Sequence, residues 1–187
     1  MSSQKIKPNG KTLNIKDGDI IISKTDMSGK ITYANDTFIR LSEFSKEELL
    51  GAPHSIIRHP DMPKALFYFM WDRINRGKNF KAVVQNITKN GDSYWVVTDF
   101  SIKKAPDGSI KYYTAFREGA PKYVVRDISK VYEEILNVEE SHGMEISIKH
   151  FEALMDKKNM TYEEWIEYMF EPKTFADKAM ATMRKMC

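Results

Sequence analysis

Three long strand-like runs, separated by strong turn signals, constrain the fold of this chain more than any other feature. The runs cover residues 80–88, 93–103 and 110–117. Lys89-Asn90-Gly91-Asp92 joins the first two runs, and Asn-Gly is a strong hairpin signal because both residues tolerate the positive φ of a tight turn. Pro106-Asp107-Gly108 turns the chain again before the third run. The pattern predicts three consecutive antiparallel strands.

A shorter hairpin is predicted upstream of these strands. Ile20-Ile21-Ile22 leads into a turn at Met27-Ser28-Gly29-Lys30, after which Ile31-Thr32-Tyr33 resumes an extended pattern. Together with the later strands, this hairpin predicts a five-stranded antiparallel sheet over residues 19–117.

Helix signals lie between the hairpin and the later strands. Asn35 stands at an N-cap position, Ser45 begins a capping box, and Pro63 lies in the first turn of a helix that runs to about Arg76. An antiparallel sheet with helices on one face is an α+β fold.

The two ends of the chain have different characters. Residues 1–18 are polar, contain Pro8 and two glycines, and predict a flexible arm or a loosely docked cap. Residues 118–187 predict a helical extension, in which Val124, Ile128, Val131, Ile135 and Val138 recur at intervals of three and four. Such a stripe fits docking of a partner for signal output, and it equally fits packing on the chain's own sheet.

Composition argues against several classes of protein. The formal net charge is only +3, and the basic residues are scattered, which disfavours nucleic-acid binding. No apolar run approaches the roughly 20 residues that span a bilayer, so we expect no membrane insertion. The only cysteine is Cys187, which fits a reducing, cytoplasmic compartment. Hydrolase and phosphate-loop motifs are absent, so the chain is not expected to be an enzyme.

The loop at residues 52–61, APHSIIRHPD, gathers charged side chains between two prolines. Arg58, His59 and Asp61 lie just before a helix N-terminus, where guanidinium and free backbone N–H groups favour an anion such as a pyrophosphate. The residues alone equally allow an Arg58–Asp61 ion pair, with Asp61 as a helix cap and His59 exposed.

Three segments carry a resemblance to a known family. They are TDMSGKITYANDTF (25–38), HSIIRHPDMPKALF (54–67) and KNGDSYWV (89–96). The chain resembles the PAS sensory domain over about residues 19–117, and more narrowly the flavin-binding PAS domains of bacterial aerotaxis and energy-taxis proteins. The resemblance implies a PAS fold, an FAD cofactor and a role for Arg58, His59 and Asp61 in binding it.

A second group of residues suits a flavin ring. An isoalloxazine ring needs apolar walls and a few amides that can donate or accept hydrogen bonds. The candidates are Phe67 and Trp71 on the long helix, Asn35 at the first helix, and Asn86 and Trp95 on the sheet. Ordinary core packing is the competing interpretation of the two tryptophans.

The resemblance implies a cytoplasmic redox sensor for aerotaxis or energy taxis. Its C-terminal helices would pass the redox state of FAD to a separate, membrane-bound chemotaxis transducer. Pairing of two copies of this chain as a homodimer stays open. A cofactor-free interaction domain stays open, because Phe80 replaces a tryptophan of the aerotaxis receptors. Haem ligated by His54 or His59 is a further alternative. Light sensing through a cysteine adduct is disfavoured, since no cysteine precedes Cys187.

Overall fold

The computed structural model describes residues 6–171. Within these residues, five strands and six α-helices follow one another, with one 3₁₀ turn at His54–Ile57. In order they are β1 (Ile21–Thr25), β2 (Ile31–Ala34), α1 (Asp36–Ser42), α2 (Lys46–Leu49), α3 (Lys64–Asn75), β3 (Phe80–Ile87), β4 (Ser93–Lys104), β5 (Ile110–Gly119), α4 (Lys122–His142), α5 (Met144–Lys158) and α6 (Tyr162–Phe170).

The five strands form one antiparallel sheet in the order β2-β1-β5-β4-β3. This confirms the predicted α+β fold. The register pairs Asn86 with Tyr94, and it pairs Ser23 with Ala115. Because side chains alternate across a strand, paired residues share a face. These residues therefore point to the same side of the sheet, where α1, α2 and α3 lie.

Local hydrogen bonds explain where the first helices begin. Asn35 accepts from the backbone N–H of Phe38 and caps α1, as its position predicted. Ser45 and Glu48 form the predicted capping box of α2. Pro63 precedes α3 without a capping side chain.

The C-terminal helices pack on the chain's own core. The helices α4 and α5 contact α3, and α6 contacts the edge strand β3. The ring of Phe80 stacks on that of Tyr162 at 5.0 Å, and the Tyr132 hydroxyl donates to the backbone carbonyl of Val83 at 2.9 Å. Most of the apolar stripe of α4 is buried here, including Val124 and Ile128. In this arrangement the stripe serves internal packing.

The first described residues also contact the sheet. Backbone N–H groups of Asn9 and Leu13 donate to the carbonyls of Gly91 and Ser93, and Ile15 is buried. This part of the predicted arm is hydrogen-bonded to the β3–β4 turn. Residues 1–5 and 172–187, the latter being the end of the predicted helical extension, lie outside the described residues. Within residues 6–171, no helix is long and apolar enough to cross a membrane.

Candidate functional site

A cavity of about 290 Å³ lies between the sheet and α3. Ligand pockets in proteins begin at about this size. Its wall is mainly apolar with polar groups at a few points, and no Asp or Glu of the described part of the chain contributes to it. Its lining includes Ser23, His54, Arg58, Phe67, Trp71, Asn86 and Arg117.

Aromatic rings form one wall of the cavity. The edge of Trp71 packs against the ring of Tyr113 at 5.8 Å, and the Tyr113 hydroxyl donates to Asn75. Gly29 lies against the Trp71 ring, since a Cβ built on Gly29 would stand only 3.1 Å from it. Gly29 also adopts φ 79°, a left-handed conformation that favours glycine. The turn between β1 and β2 thus fits closely against α3.

The Arg58 guanidinium lies flat against this wall. Its central carbon is 3.6 Å from the centre of the Phe67 ring, and its backbone bridges to Asn86. The Arg58 Nε is buried and makes no hydrogen bond within the described residues. Burial lowers the pKa of Arg58, while the nearby carboxylate of Glu139 acts in the opposite direction. Arg58 therefore carries an incompletely paired charge at the cavity.

Asn86 supplies the amide at the cavity wall. The residue is buried on β3, and its Nδ2 makes no hydrogen bond of good geometry among the described residues. The Tyr94 hydroxyl lies close to Asn86, and this contact favours the ionised form of Tyr94. Burial has the larger effect and raises the pKa of Tyr94 above its usual value. An amide in this state can donate a hydrogen bond to a ligand.

A third polar group contains Arg117, His54 and Ser23. Arg117 is only 2% exposed, and it donates to Ser23 Oγ at 3.0 Å and to His54 Nε2 at 2.7 Å. Since arginine only donates, His54 Nε2 must accept, which puts the ring proton on Nδ1. Burial and the positive charges of Arg117 and Arg58 hold the pKa of His54 well below its usual range. His54 is thus neutral, and Arg117 carries the charge.

Four of the eight residues predicted for the site lie together at this cavity: Arg58, Phe67, Trp71 and Asn86. His59 and Asp61 lie just beside it in the same loop. His59 is buried, and its Nδ1 accepts from the Asp61 backbone N–H at 3.2 Å. The Asp61 carboxylate is largely exposed and lies 3.6 Å from His59 Nδ1. These two residues shape the loop that carries Arg58.

The other two predicted residues lie away from the cavity wall. Asn35 accepts from the Ile22 N–H and donates to the Ile20 carbonyl, besides capping α1, so it ties that helix to β1. Trp95 stacks on Tyr132 of α4 at 6.4 Å, on the opposite face of the sheet from Asn86. Its packing is that of an ordinary core aromatic.

Arg117 and Ser23 line the cavity but were not among the residues predicted for it. The sequence carries a signal for Arg117, since it shares the inward period of β5 with Tyr113 and Ala115. A charged side chain at an inward strand position is rarely buried without a functional or structural reason. His54 was predicted only as an alternative haem ligand, but its Nε2 accepts a hydrogen bond from Arg117.

Glu139 connects this site to the C-terminal helices. It lies on α4, is 7% exposed, and accepts from the backbone N–H of Ala65 in the first turn of α3 at 3.1 Å. Its other oxygen lies 3.4 Å from Lys64 Nζ. A carboxylate at a helix N-terminus satisfies a free N–H group and opposes the helix dipole. Glu139 therefore caps α3 from another helix and lies near Arg58.

Comparisons with known proteins agree with this architecture. Residues 31–117 match the family model of the PAS fold. The aerotaxis receptor of Escherichia coli (strain K12) is 37% identical over 118 residues, which are 63% of this chain and 23% of the receptor. A nitrogen fixation regulatory protein of Klebsiella pneumoniae is 26% identical over 63% of this chain and 22% of its own length. This chain thus matches less than a quarter of either relative.

Solved structures share the fold. The light-state structure of the light-oxygen-voltage domain of the blue-light photoreceptor Aureochrome1 superimposes with a TM-score of 0.52 at 20% identity, covering 63% of this chain and 91% of that one. A light-oxygen-voltage domain studied with a flavin analogue gives 0.53 at 19% identity, covering 62% and 86%. At this level of identity, the likeness concerns the arrangement of the backbone.

Proposed function

The chain contains a PAS domain similar to that of a bacterial aerotaxis receptor, and from this premise we propose that it is a flavin-binding redox sensor. The flavin is FAD, held in the cavity between the sheet and α3. The sensor works in the cytoplasm and reports to a chemotaxis transducer on a separate chain.

One observation carries the proposal: the cavity combines apolar walls with buried polar groups that lack partners among residues 6–171. Arg58 Nε and Asn86 Nδ2 are both buried, and neither makes a hydrogen bond of good geometry within that part of the chain. Leaving such groups unpaired costs about 1–3 kcal/mol each. A ligand that accepts hydrogen bonds at the edge of a flat ring would relieve this cost, and flavins have such edges.

Each polar residue has its own task in holding this ligand. Arg58, stacked on Phe67 beside the N-terminus of α3, supplies positive charge for the phosphates of a dinucleotide. Asn86 offers an amide donor, while Trp71 and Met70 exclude water from one side of the cavity. A bound flavin supplies a ring that takes up electrons and protons.

Glu139 offers a route from the cavity to the C-terminal helices. Its carboxylate caps α3 at Ala65, and its negative charge stabilises the charged guanidinium of Arg58. When a ligand pairs with Arg58 or leaves it, the electrostatic interaction between Arg58 and the Glu139 carboxylate on α4 therefore changes. Loosening this cap would free the apolar residues of α4 that otherwise pack internally, and a transducer could then bind them.

The structure also bears on the alternatives. Phe80, which supported a cofactor-free interaction domain, stacks on Tyr162 and contributes no part of the cavity wall. Phe80 therefore gives no direct argument against a ligand in this cavity. Haem ligation by His54 would have to compete with the 2.7 Å contact from Arg117 to its Nε2. Both observations favour flavin.

The proposal is tested by purifying the full chain without added cofactor and recording its absorption spectrum. We expect flavin bands, and FAD rather than FMN in the supernatant after heat release. Arg58→Ala should lower the flavin content at least tenfold with an unchanged circular dichroism spectrum. Arg76→Ala is the matched control, because Arg76 is an exposed arginine after α3 that pairs with Asp72 on the protein surface. It should retain full occupancy.

Two results would count against flavin binding. A protein that stays colourless after incubation with FAD would favour the interaction domain. A Soret band would instead assign the cavity to haem.

A further inference from the structure

Arg117 is a buried charge whose described partners are neutral. Its guanidinium donates to a serine hydroxyl and to a histidine nitrogen, and no carboxylate from residues 6–171 lines the cavity. A buried cation without an anion is strongly unfavourable. Structural arginines in protein interiors are normally paired with Asp or Glu.

The neighbours of Arg117 fix its position without cancelling its charge. Ser23 Oγ accepts from Nη1, and His54 Nε2 accepts from Nη2. Ser23 and His54 also lie 3.2 Å apart, so the three groups form a closed triangle. The Phe38 ring lies beside the guanidinium, 5.8 Å from its central carbon. The guanidinium is thus rigid and still unneutralised.

We propose that Arg117, positioned by Ser23 and His54, is the counter-charge that makes this cavity prefer a reduced, more electron-rich flavin ring over the oxidised ring. This inference rests on the flavin site proposed above. Arg58 and Arg117 then have separate tasks. Arg58 pairs with the phosphates, whose negative charge is permanent. Arg117 stabilises the negative charge that the flavin ring gains only on reduction.

These two tasks predict different measurements. A contact with permanent phosphate charge strengthens the binding of oxidised and reduced flavin equally. A contact with charge that develops on reduction strengthens the reduced complex more, and so raises the midpoint potential of the bound flavin. For a two-electron couple, a tenfold difference in affinity corresponds to about 30 mV.

The experiment measures the midpoint potential and the dissociation constant of oxidised FAD for the full chain and four variants. Arg117→Met removes the charge and keeps the length of the side chain. Arg117→Gln is a second neutral variant whose amide can still donate to His54. Arg117→Lys keeps the charge, and Arg76→Met is the exposed control. We expect both neutral variants to lose at least tenfold more affinity for reduced than for oxidised flavin, about 30 mV in potential.

The outcomes separate this inference from the flavin proposal. Wild-type protein that binds no flavin overturns the site itself, and the inference with it. Wild-type protein that binds flavin, with equal losses for both redox states in the neutral variants, overturns the role of Arg117 alone. An unchanged potential in the neutral variants does the same. Recovery of most of the shift by Arg117→Lys supports a charge effect, and a Lys variant that behaves like the Met variant contradicts it.

Discussion

The buried charge of Arg117 predicts that flavin-free protein becomes more stable when that charge is removed. Arg117→Met replaces the guanidinium with an apolar side chain of similar length next to Phe38. Ser23 and His54 stay within 3.2 Å of each other, so each keeps a hydrogen-bond partner. The substitution therefore removes an unpaired cation and leaves no new buried polar group without a partner.

The size of the effect follows from two opposing contributions. Desolvation lowers the pKa of Arg117 to about 10. At about 1.4 kcal/mol per pH unit, this fall corresponds to about 3 kcal/mol of unfavourable burial. The two hydrogen bonds to Ser23 and His54 contribute about 1 kcal/mol each in the other direction. The net gain is about 1 kcal/mol, or about 2–4 °C in Tm for a chain of this size.

Thermal unfolding of flavin-free protein at pH 7 measures this gain. Arg76→Met removes an exposed guanidinium and should leave Tm within about 1 °C of wild type. A fall in Tm for Arg117→Met, with the control unchanged, would show that the guanidinium stabilises the empty fold. The guanidinium would then be a structural group of the empty protein and not a charge that awaits a ligand.

Two further predictions concern the cap and the histidine. Glu139→Ala leaves the Ala65 N–H without its acceptor, so we expect the free energy of unfolding in urea to fall by about 1–3 kcal/mol. Glu140→Ala, at the exposed neighbouring position, is the control, and equal effects of the two variants would contradict the capping role. The pKa of His54 is depressed in the folded state, so the unfolded chain takes up a proton first and stability falls as the pH drops below about 6.5. Between pH 6.5 and 5 the stability of His54→Gln should fall less steeply than that of wild type, whereas His142→Gln, at an exposed site, should follow wild type; three parallel curves would contradict the assignment.

The elements predicted from the sequence were those with local causes. The Asn90-Gly91 turn, the Asn35 cap and the capping box at Ser45 depend on residues within four positions of one another, and all are present. The resemblance to the PAS family implied the five-stranded antiparallel sheet, which the structure confirms. Interactions between residues close in sequence were thus sufficient to predict the turns and helix starts of the domain.

The cavity was harder to predict because its polar groups meet across the fold. Arg117 and Ser23 are 94 positions apart, and Arg117 and His54 are 63 apart. No short-range pattern joins them, and each residue alone resembles a solvated side chain. The same limit explains Trp95, whose stacking partner Tyr132 belongs to a helix outside the family resemblance.

The aromatic contact between Phe80 and Tyr162 has a consequence for where this domain ends. The family pattern stops at residue 117, yet the side chains that cover β3 come from later helices. A chain cut at 117 would expose Phe80 and Val83 to water and would leave the N-terminus of α3 without Glu139. Regions that share buried contacts open and close together. The part of this chain that folds cooperatively therefore extends beyond the segment that matches the PAS family.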